Sequence, residues 1–141
     1  VVVLCEGDPF FYGSFMYFFS RLSDRFECKI VPGVTSVTAC AAALQAPLTA
    51  RNEVLTIIPG PMGEDAMEAR IAVAEAVAVM KVGRHLPKIK RVLDRLGLTD
   101  HAGYVERASL PAEVVLPLAD APETAPYFSM ILVTKGDDPW L

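Results

Sequence analysis

The sequence predicts an α/β protein, because segments with strand character alternate with segments of helical character and the last third is rich in strands. Residues 1–4, VVVL, form an apolar run without alternation, as in parallel strands covered on both faces. Residues 87–96 carry apolar side chains at helical spacing and are followed by Gly97, a common helix end. We therefore expect parallel strands first and a mixed sheet in the second half.

In the first half, residues 1–4 are predicted to be a buried strand that ends at the bend Gly7-Asp8-Pro9. Residues 14–25 are predicted to form a helix whose dense aromatic residues serve either the core or a subunit contact. Residues 27–31 form a short strand that Pro32 and Gly33 close. Residues 35–44 form a helix of small side chains, which can lie close to a sheet or to a ligand.

In the second half, a strand at 53–59 leads through a glycine-containing turn to a weakly amphipathic helix at 64–75. A strand at 76–82 precedes the helix at 87–96, where Pro87 suits the first helical position. The last strand candidates are residues 104–107, 113–116 and 128–134.

Residues 45–52 are loop-like and contain Pro47, so we place a domain boundary there. Residues 1–48 then form the end of one α/β domain, and residues 49–141 form a second α/β domain with a mixed sheet. Because a buried parallel strand needs neighbours on both sides, we also expect that sequence preceding residue 1 is missing.

The composition argues against several classes of protein. A formal net charge of −4 and a pI near 5.1 disfavour general binding to nucleic acid or to a membrane surface. No apolar run reaches the roughly 18 residues of a membrane span. Cys5, Cys28 and Cys40 lack metal-ligand spacing, which fits reduced thiols in a cytoplasmic protein.

No nucleophile and base stand at a familiar spacing, and His85 and His101 are isolated, so neither a hydrolase nor a metalloenzyme is expected. Loops with glycine, proline and small residues instead follow several predicted strands, where α/β proteins bind ligands. A basic segment at 81–95 is either a solvated helix face or a site that attracts a polyanion. Arg84 and Lys88 lie nearest a strand end and are its first candidates.

Four segments and a closing strand resemble the tetrapyrrole methylase family. They are CEGDPFFYGSFMY at 5–17, PGVTSVTACAA at 32–42, MKVGRHLPK at 80–88, YVERAS at 104–109 and YFSMILV at 127–133. The first and third are most similar to the branch that methylates carbon 20 of precorrin-2, or of its cobalt complex, in cobalamin biosynthesis. The glycine- and proline-rich loop with which the family opens has no counterpart here.

The resemblance implies two α/β domains with the ligand cleft between them, of which this chain holds the end of the first and all of the second. It implies a cytoplasmic homodimer that transfers a methyl group from S-adenosylmethionine to an electron-rich carbon of the macrocycle. Such chemistry depends on alignment rather than on an acid-base pair. No metal is implied as a cofactor.

Carried over by position, the resemblance implies a set of site residues. The cofactor contacts are Glu6, Gly7, Asp8, Thr35, Ser36, Met80, Gly103, Tyr104, Val105 and Ser129. Tyr12 is a candidate for the removal of the proton that follows methylation, and Arg84 and Lys88 would meet the carboxylates of the tetrapyrrole. Two alternatives stay open: another member of the family with a different substrate or ring position, and a non-catalytic small-molecule-binding or dimerisation domain.

Overall fold

The structure is a computed structural model that describes residues 1–136. Its centre is a five-stranded sheet in the order β1-β2-β5-β3-β4. The strands are β1 Leu55–Pro59, β2 Ala76–Met80, β3 Ala102–Glu106, β4 Val114–Pro117 and β5 Ser129–Thr134. β1 and β2 are parallel, whereas β5 is antiparallel to both β2 and β3, and β4 is antiparallel to β3. The sheet is therefore mixed, as the sequence predicts.

The described residues form four α-helices, of which the last three cover the two faces of the sheet. They are α1 Phe15–Leu22, α2 Ser36–Leu44, α3 Glu64–Val73 and α4 Leu86–Arg95. Because successive strand residues point to opposite faces, the core splits in two. Ile58 and Tyr104 pack in one cluster with residues of α3 and α4, and Val105 packs in the other with residues of α2.

The ends of the helices follow local signals in the sequence. The Thr35 side chain accepts a hydrogen bond from the Thr38 amide at 3.4 Å and caps α2. Pro87 lies in the first turn of α4, and Gly97 follows that helix with a φ of +67°, a conformation that glycine adopts at low cost. The predicted helix at 87–96 is thus confirmed within one residue.

Two predicted strands are wrong. Residues 1–4 are exposed and residues 27–31 mostly so, and neither segment is part of the sheet. A strand is stabilised by hydrogen bonds to a neighbouring strand, and the five strands of the described residues pair only with one another. The apolar, β-branched composition was therefore a sound guide to preference but not to pairing. The boundary between residues 48 and 49 stays a prediction.

α1 forms as predicted but contributes no buried residue to the core. Its inner aromatic rings pack against the preceding loop, with the Phe10 and Phe19 ring centres 4.9 Å apart in an edge-to-face arrangement. Tyr17 and Phe18 remain exposed. Within residues 1–136, no helix has the length and apolar character that crossing a bilayer requires.

Candidate functional site

A cavity of about 330 Å³ opens at one edge of the sheet. β2 and β3 run in the same direction on either side of β5, with Met80 and Val105 both opposite Met130. Their carboxyl ends therefore meet at this edge, together with the start of β5. This is the position at which open α/β sheets bind ligands.

Five segments line the cavity. The loop before α1 contributes Glu6, Phe11 and Tyr12, and the first turns of α2 contribute Ser36, Ala39 and Cys40. The strand ends contribute Met80 and Lys81 after β2, Arg107 and Ala108 after β3, and Tyr127 to Met130 at the start of β5. The lining is largely apolar and carries a few convergent polar groups, as is typical of small-molecule sites.

Asp8 ties the first two loops together. Its Oδ1 accepts a hydrogen bond from the Phe10 amide and its Oδ2 accepts one from the Gly33 amide, each at 2.9 Å. The bond from Gly33, followed by that from Phe10, lowers the pKa of the Asp8 carboxyl. Gly33 approaches so closely that a Cβ there would lie 2.2 Å from the Gly7 carbonyl oxygen. Asp8 thus orders the loop that carries Glu6 and Tyr12.

Gly60 supports the bend after β2. Its amide donates to the Met80 carbonyl at 2.7 Å, and a Cβ on it would lie 2.5 Å from the Lys81 carbonyl oxygen. Lys81 itself has a φ of +56°, in the left-handed region. The Lys81 ammonium lies 5.3 Å from the centre of the Tyr12 ring, a cation–π contact across the cavity wall.

Arg107 forms the corresponding bend after β3. It has a φ of +48°, and its amide donates to the Phe128 carbonyl at 2.8 Å, which joins the ends of β3 and β5. Its guanidinium donates to Oε2 of Glu106 at 3.2 Å. Oε1 of the buried Glu106 accepts a hydrogen bond from the Tyr104 hydroxyl at 2.5 Å. Burial, and next the bond to Glu106, raises the pKa of Tyr104.

Cys40 forms part of the apolar floor. Burial, reinforced by the negative charge of Glu113, raises the pKa of its thiol to about 11. The neutral thiol is therefore the form present near neutral pH, and Cys40 acts as a small apolar group rather than as a nucleophile.

The structure brings several predicted site residues to this one cavity. They are Glu6, Tyr12, Ser36, Met80 and Ser129. Three more adjoin it: Gly7 and Asp8 hold the first loop, and Thr35 caps the helix on which Ser36 stands. These eight come from the separate loops that the sequence predicts to converge.

The other predicted residues lie elsewhere. Tyr104 and Val105 are buried within the sheet, and Gly103 faces Leu44, whose Cδ2 would lie 2.5 Å from an added Cβ. Arg84 is exposed and outside the cavity lining. Lys88 donates to the carbonyl oxygens of Gly60 and Met62 and so fastens α4 to the loop after β1.

Lys81 and Arg107 are the cationic residues of the cavity lining. Sequence reasoning included Lys81 only as one member of the basic segment at 81–95 and gave Arg107 no role. Both lie inside segments that carried the family resemblance. Their positions could have identified them, because each directly follows a buried residue at the carboxyl end of a strand, where a ligand is expected. The aromatic wall of Tyr127 and Phe128 was missed because that segment was assigned as a strand with Ser129 as its one cofactor contact.

Comparison with known proteins gives concordant results. The family description Tetrapyrrole (Corrin/Porphyrin) Methylases matches residues 1–122. The chain is 45% identical over 139 residues to precorrin-2 C(20)-methyltransferase of Sinorhizobium sp., covering 98% of this chain and 57% of that protein. The chain thus spans somewhat more than half the length of this relative.

Two solved structures have the same fold. Cobalt precorrin-4 methyltransferase, CbiF, superposes with a TM-score of 0.66 at 26% identity, covering 91% of this chain and 61% of that one. Uroporphyrin-III C-methyltransferase of Thermus thermophilus, complexed with S-adenosylhomocysteine, superposes with a TM-score of 0.60 at 27% identity, covering 90% and 62%. The predicted fold class is confirmed.

Proposed function

We propose, from the fact that the chain belongs to the tetrapyrrole methylase family, that the protein is an S-adenosylmethionine-dependent C-methyltransferase of cobalamin biosynthesis. Its substrate is precorrin-2 or the cobalt complex of precorrin-2, and the methylated atom is meso carbon 20. The relative from Sinorhizobium carries this activity in its name, and the chain matches it across 98% of its own length.

The observation that carries the proposal is the convergence of all four family segments on one cavity. Each of the four segments contributes a residue to the lining, as does the closing strand: Tyr12, Ser36, Met80, Arg107 and, from the strand, Ser129. Residues so far apart in sequence meet because the parallel strands end at one edge, where a ligand with apolar and polar parts can contact all of them.

The lining fits S-adenosylmethionine chemically. Met80, Phe128 and Met130 offer apolar walls for a nucleoside, and Glu6 offers a carboxylate that accepts hydrogen bonds. Ser36 lies in the first turn of α2, whose free amides and dipole favour an anion such as the methionine carboxylate. When bound, S-adenosylmethionine supplies the electrophilic methyl group.

The chain's own residues contribute orientation and the exclusion of water. The loop that Asp8 and Gly33 fix, and the bends at Lys81 and Arg107, hold the wall residues in place before ligands arrive. Alignment of reacting groups is worth roughly 7–11 kcal/mol, which is enough for a methyl transfer without an acid-base pair. We assign the Tyr12 hydroxyl as a relay that takes up the proton leaving the methylated carbon while it passes its own proton to water.

We further propose a cytoplasmic homodimer. The free thiols of Cys5 and Cys28 support a reducing compartment. The exposed rings of Tyr17 and Phe18 on α1 support a subunit contact, because large apolar side chains grouped on a surface mark interaction sites.

The test is incubation of the full-length protein with precorrin-2 and methyl-labelled S-adenosylmethionine, followed by mass spectrometry and NMR of the macrocycle. We expect a single added methyl group at carbon 20 and an equal amount of S-adenosylhomocysteine. A parallel reaction with cobalt-precorrin-2 identifies the preferred form. Labelling of another ring position, or binding of S-adenosylhomocysteine without transfer to either substrate, would reject the assignment.

A further inference from the structure

We propose that Arg107 binds a ligand carboxylate in the cavity, and that Glu106 and Tyr104 position its guanidinium for this purpose. The inference rests on the proposed function, which puts ligands with carboxylates at this edge of the sheet. It goes beyond the residues that the family resemblance assigns, since it replaces Arg84 and Lys88 by a cation inside the cavity.

The first argument is the charge of the lining. Lys81 and Arg107 bring two positive charges to the wall, and Glu6 brings one negative charge. The lining residues thus carry one net positive charge in a chain whose formal net charge is −4, and Glu106, which pairs with Arg107, lies outside the lining. Arg84 lies outside this lining, and the Lys88 ammonium is already engaged by two backbone carbonyls.

The second argument is the way in which Arg107 is held. An ordinary surface ion pair joins two flexible side chains and contributes little. Here the residue Glu106 is 8% exposed, and the other oxygen of its carboxylate accepts from the hydroxyl of the fully buried Tyr104. The guanidinium therefore rests on a rigid support.

The third argument is that the guanidinium keeps free capacity. It has five N–H donors, and within residues 1–136 it makes one side-chain hydrogen bond, from Nη1 to Glu106. The Arg107 side chain is 40% exposed while it lines the cavity. A planar guanidinium presents paired donors that match a carboxylate.

The fourth argument is backbone strain. Tyr12, Lys81 and Arg107 all line the cavity, and all have φ values between +48° and +56° although none is glycine. Such conformations are strained for residues other than glycine and collect at ligand sites, where the surrounding structure enforces them. The bend at Arg107 is enforced by its amide bond to the Phe128 carbonyl.

Two ligands could provide the carboxylate, the propionate and acetate arms of the macrocycle or the methionine part of the cofactor. Three probes separate them: uroporphyrin, a stable macrocycle with the same class of acidic arms; S-adenosylhomocysteine; and 5′-methylthioadenosine, which lacks the amino acid. Calorimetry and fluorescence titration give the affinities of the full-length protein and of R107Q. Arg70→Gln is the matched control, because Arg70 is exposed on α3 and outside the cavity lining.

We expect R107Q to weaken binding of one carboxylate-bearing probe at least about tenfold, as for the loss of a charged hydrogen-bonded pair. Loss confined to uroporphyrin assigns Arg107 to the macrocycle. Loss for S-adenosylhomocysteine but not for 5′-methylthioadenosine assigns it to the cofactor. Unchanged binding of all probes, or equal loss of all three, overturns the inference.

The positioning role has its own readout. Glu106→Gln should raise KM or Kd for the same ligand about threefold to tenfold, with kcat and the melting temperature close to those of the wild type. Arg107→Lys keeps the charge but not the paired donors, so it should restore part of the affinity that R107Q loses. Failure of the wild type to bind S-adenosylhomocysteine would reject the proposed function alone, because the uroporphyrin comparison still reports on Arg107.

Discussion

Replacement of Lys88 by methionine tests whether this lysine stabilises the fold or binds the substrate. The Lys88 ammonium donates to the Gly60 carbonyl at 2.7 Å and to the Met62 carbonyl, 28 and 26 residues away in sequence. Methionine keeps the length and the apolar stem of the side chain but cannot donate. The Lys88→Met change therefore leaves two carbonyl oxygens of the loop after β1 without their partner.

The size of the effect follows from these contacts. Hydrogen bonds that involve a charged group contribute about 1.5–3 kcal/mol each. Two such bonds give an upper limit near 6 kcal/mol, but Lys88 is only half-buried, so water can replace part of the loss. We expect the free energy of unfolding to fall by about 2 kcal/mol, and for a chain of this size the melting temperature falls by about 7 °C.

Thermal and urea denaturation followed by circular dichroism measure this loss, and two variants calibrate it. Lys90 donates to one carbonyl, that of Ala121, at 3.0 Å, so Lys90→Met should cost about half as much. Arg84 is exposed and should tolerate methionine with a shift below about 1 °C. If Lys88→Met has the melting temperature of the wild type but binds uroporphyrin at least about tenfold more weakly, the structural interpretation is wrong and Lys88 contacts the ligand.

Three further predictions concern the loops and the floor of the cavity. Gly33→Ala should abolish binding of S-adenosylhomocysteine in calorimetry, because the added Cβ would lie 2.2 Å from a carbonyl oxygen of the first loop. The control Gly63→Ala, where a Cβ meets nothing within 4 Å, should bind normally. Equal affinities of the two variants would contradict the proposed role of the Asp8–Gly33 contact in ordering the first loop. The pKa of Asp8 is lower in the folded than in the unfolded state, so its stabilising effect is complete above the unfolded value near 3.8 and disappears as pH falls through the folded value. In Asp8→Asn, the free energy of unfolding in urea should therefore depend less on pH between about pH 5 and 2. The same pH dependence in the variant and the wild type would exclude this linkage. Cys40, whose pKa burial raises to about 11, should react with iodoacetamide at pH 8 far more slowly than exposed Cys5, and comparable rates by peptide mass spectrometry would show that the cavity floor opens.

The fold was predictable where its signals are local. Pro87 and Gly97 delimit α4, and Thr35 marks the start of α2, because each acts on backbone groups within one turn of the helix. The two wrong strands, at 1–4 and 27–31, failed for the opposite reason. Their composition favours extended backbone, but a strand forms only beside another strand. The residues of a segment do not specify which strand it pairs with.

The site was predictable as a set of loops but not as a set of contacts. The strand ends were expected at one edge, and five predicted residues line the cavity there. Asp8, however, binds the Gly33 amide 25 residues away as well as the nearby Phe10 amide, and Lys88 binds carbonyls 28 and 26 residues away. Both side chains therefore support loops and lie outside the cavity lining. A charged residue beside a cavity can support the wall without being part of it, and only the fold distinguishes the two roles.

The bends at this edge carry side chains in a backbone conformation that glycine would adopt at lower energy. Of the six non-glycine residues with positive φ within residues 1–136, three line the cavity: Tyr12, Lys81 and Arg107. After β2 the glycine is not at the bend but across from it, at Gly60, where it makes room for the Lys81 backbone. The neighbouring loop therefore uses the absence of a glycine side chain, and the bend itself keeps a side chain that can contact a ligand. Under the proposed function, strain of about 1–3 kcal/mol at each of these positions is offset by the ligand contacts that the side chains make.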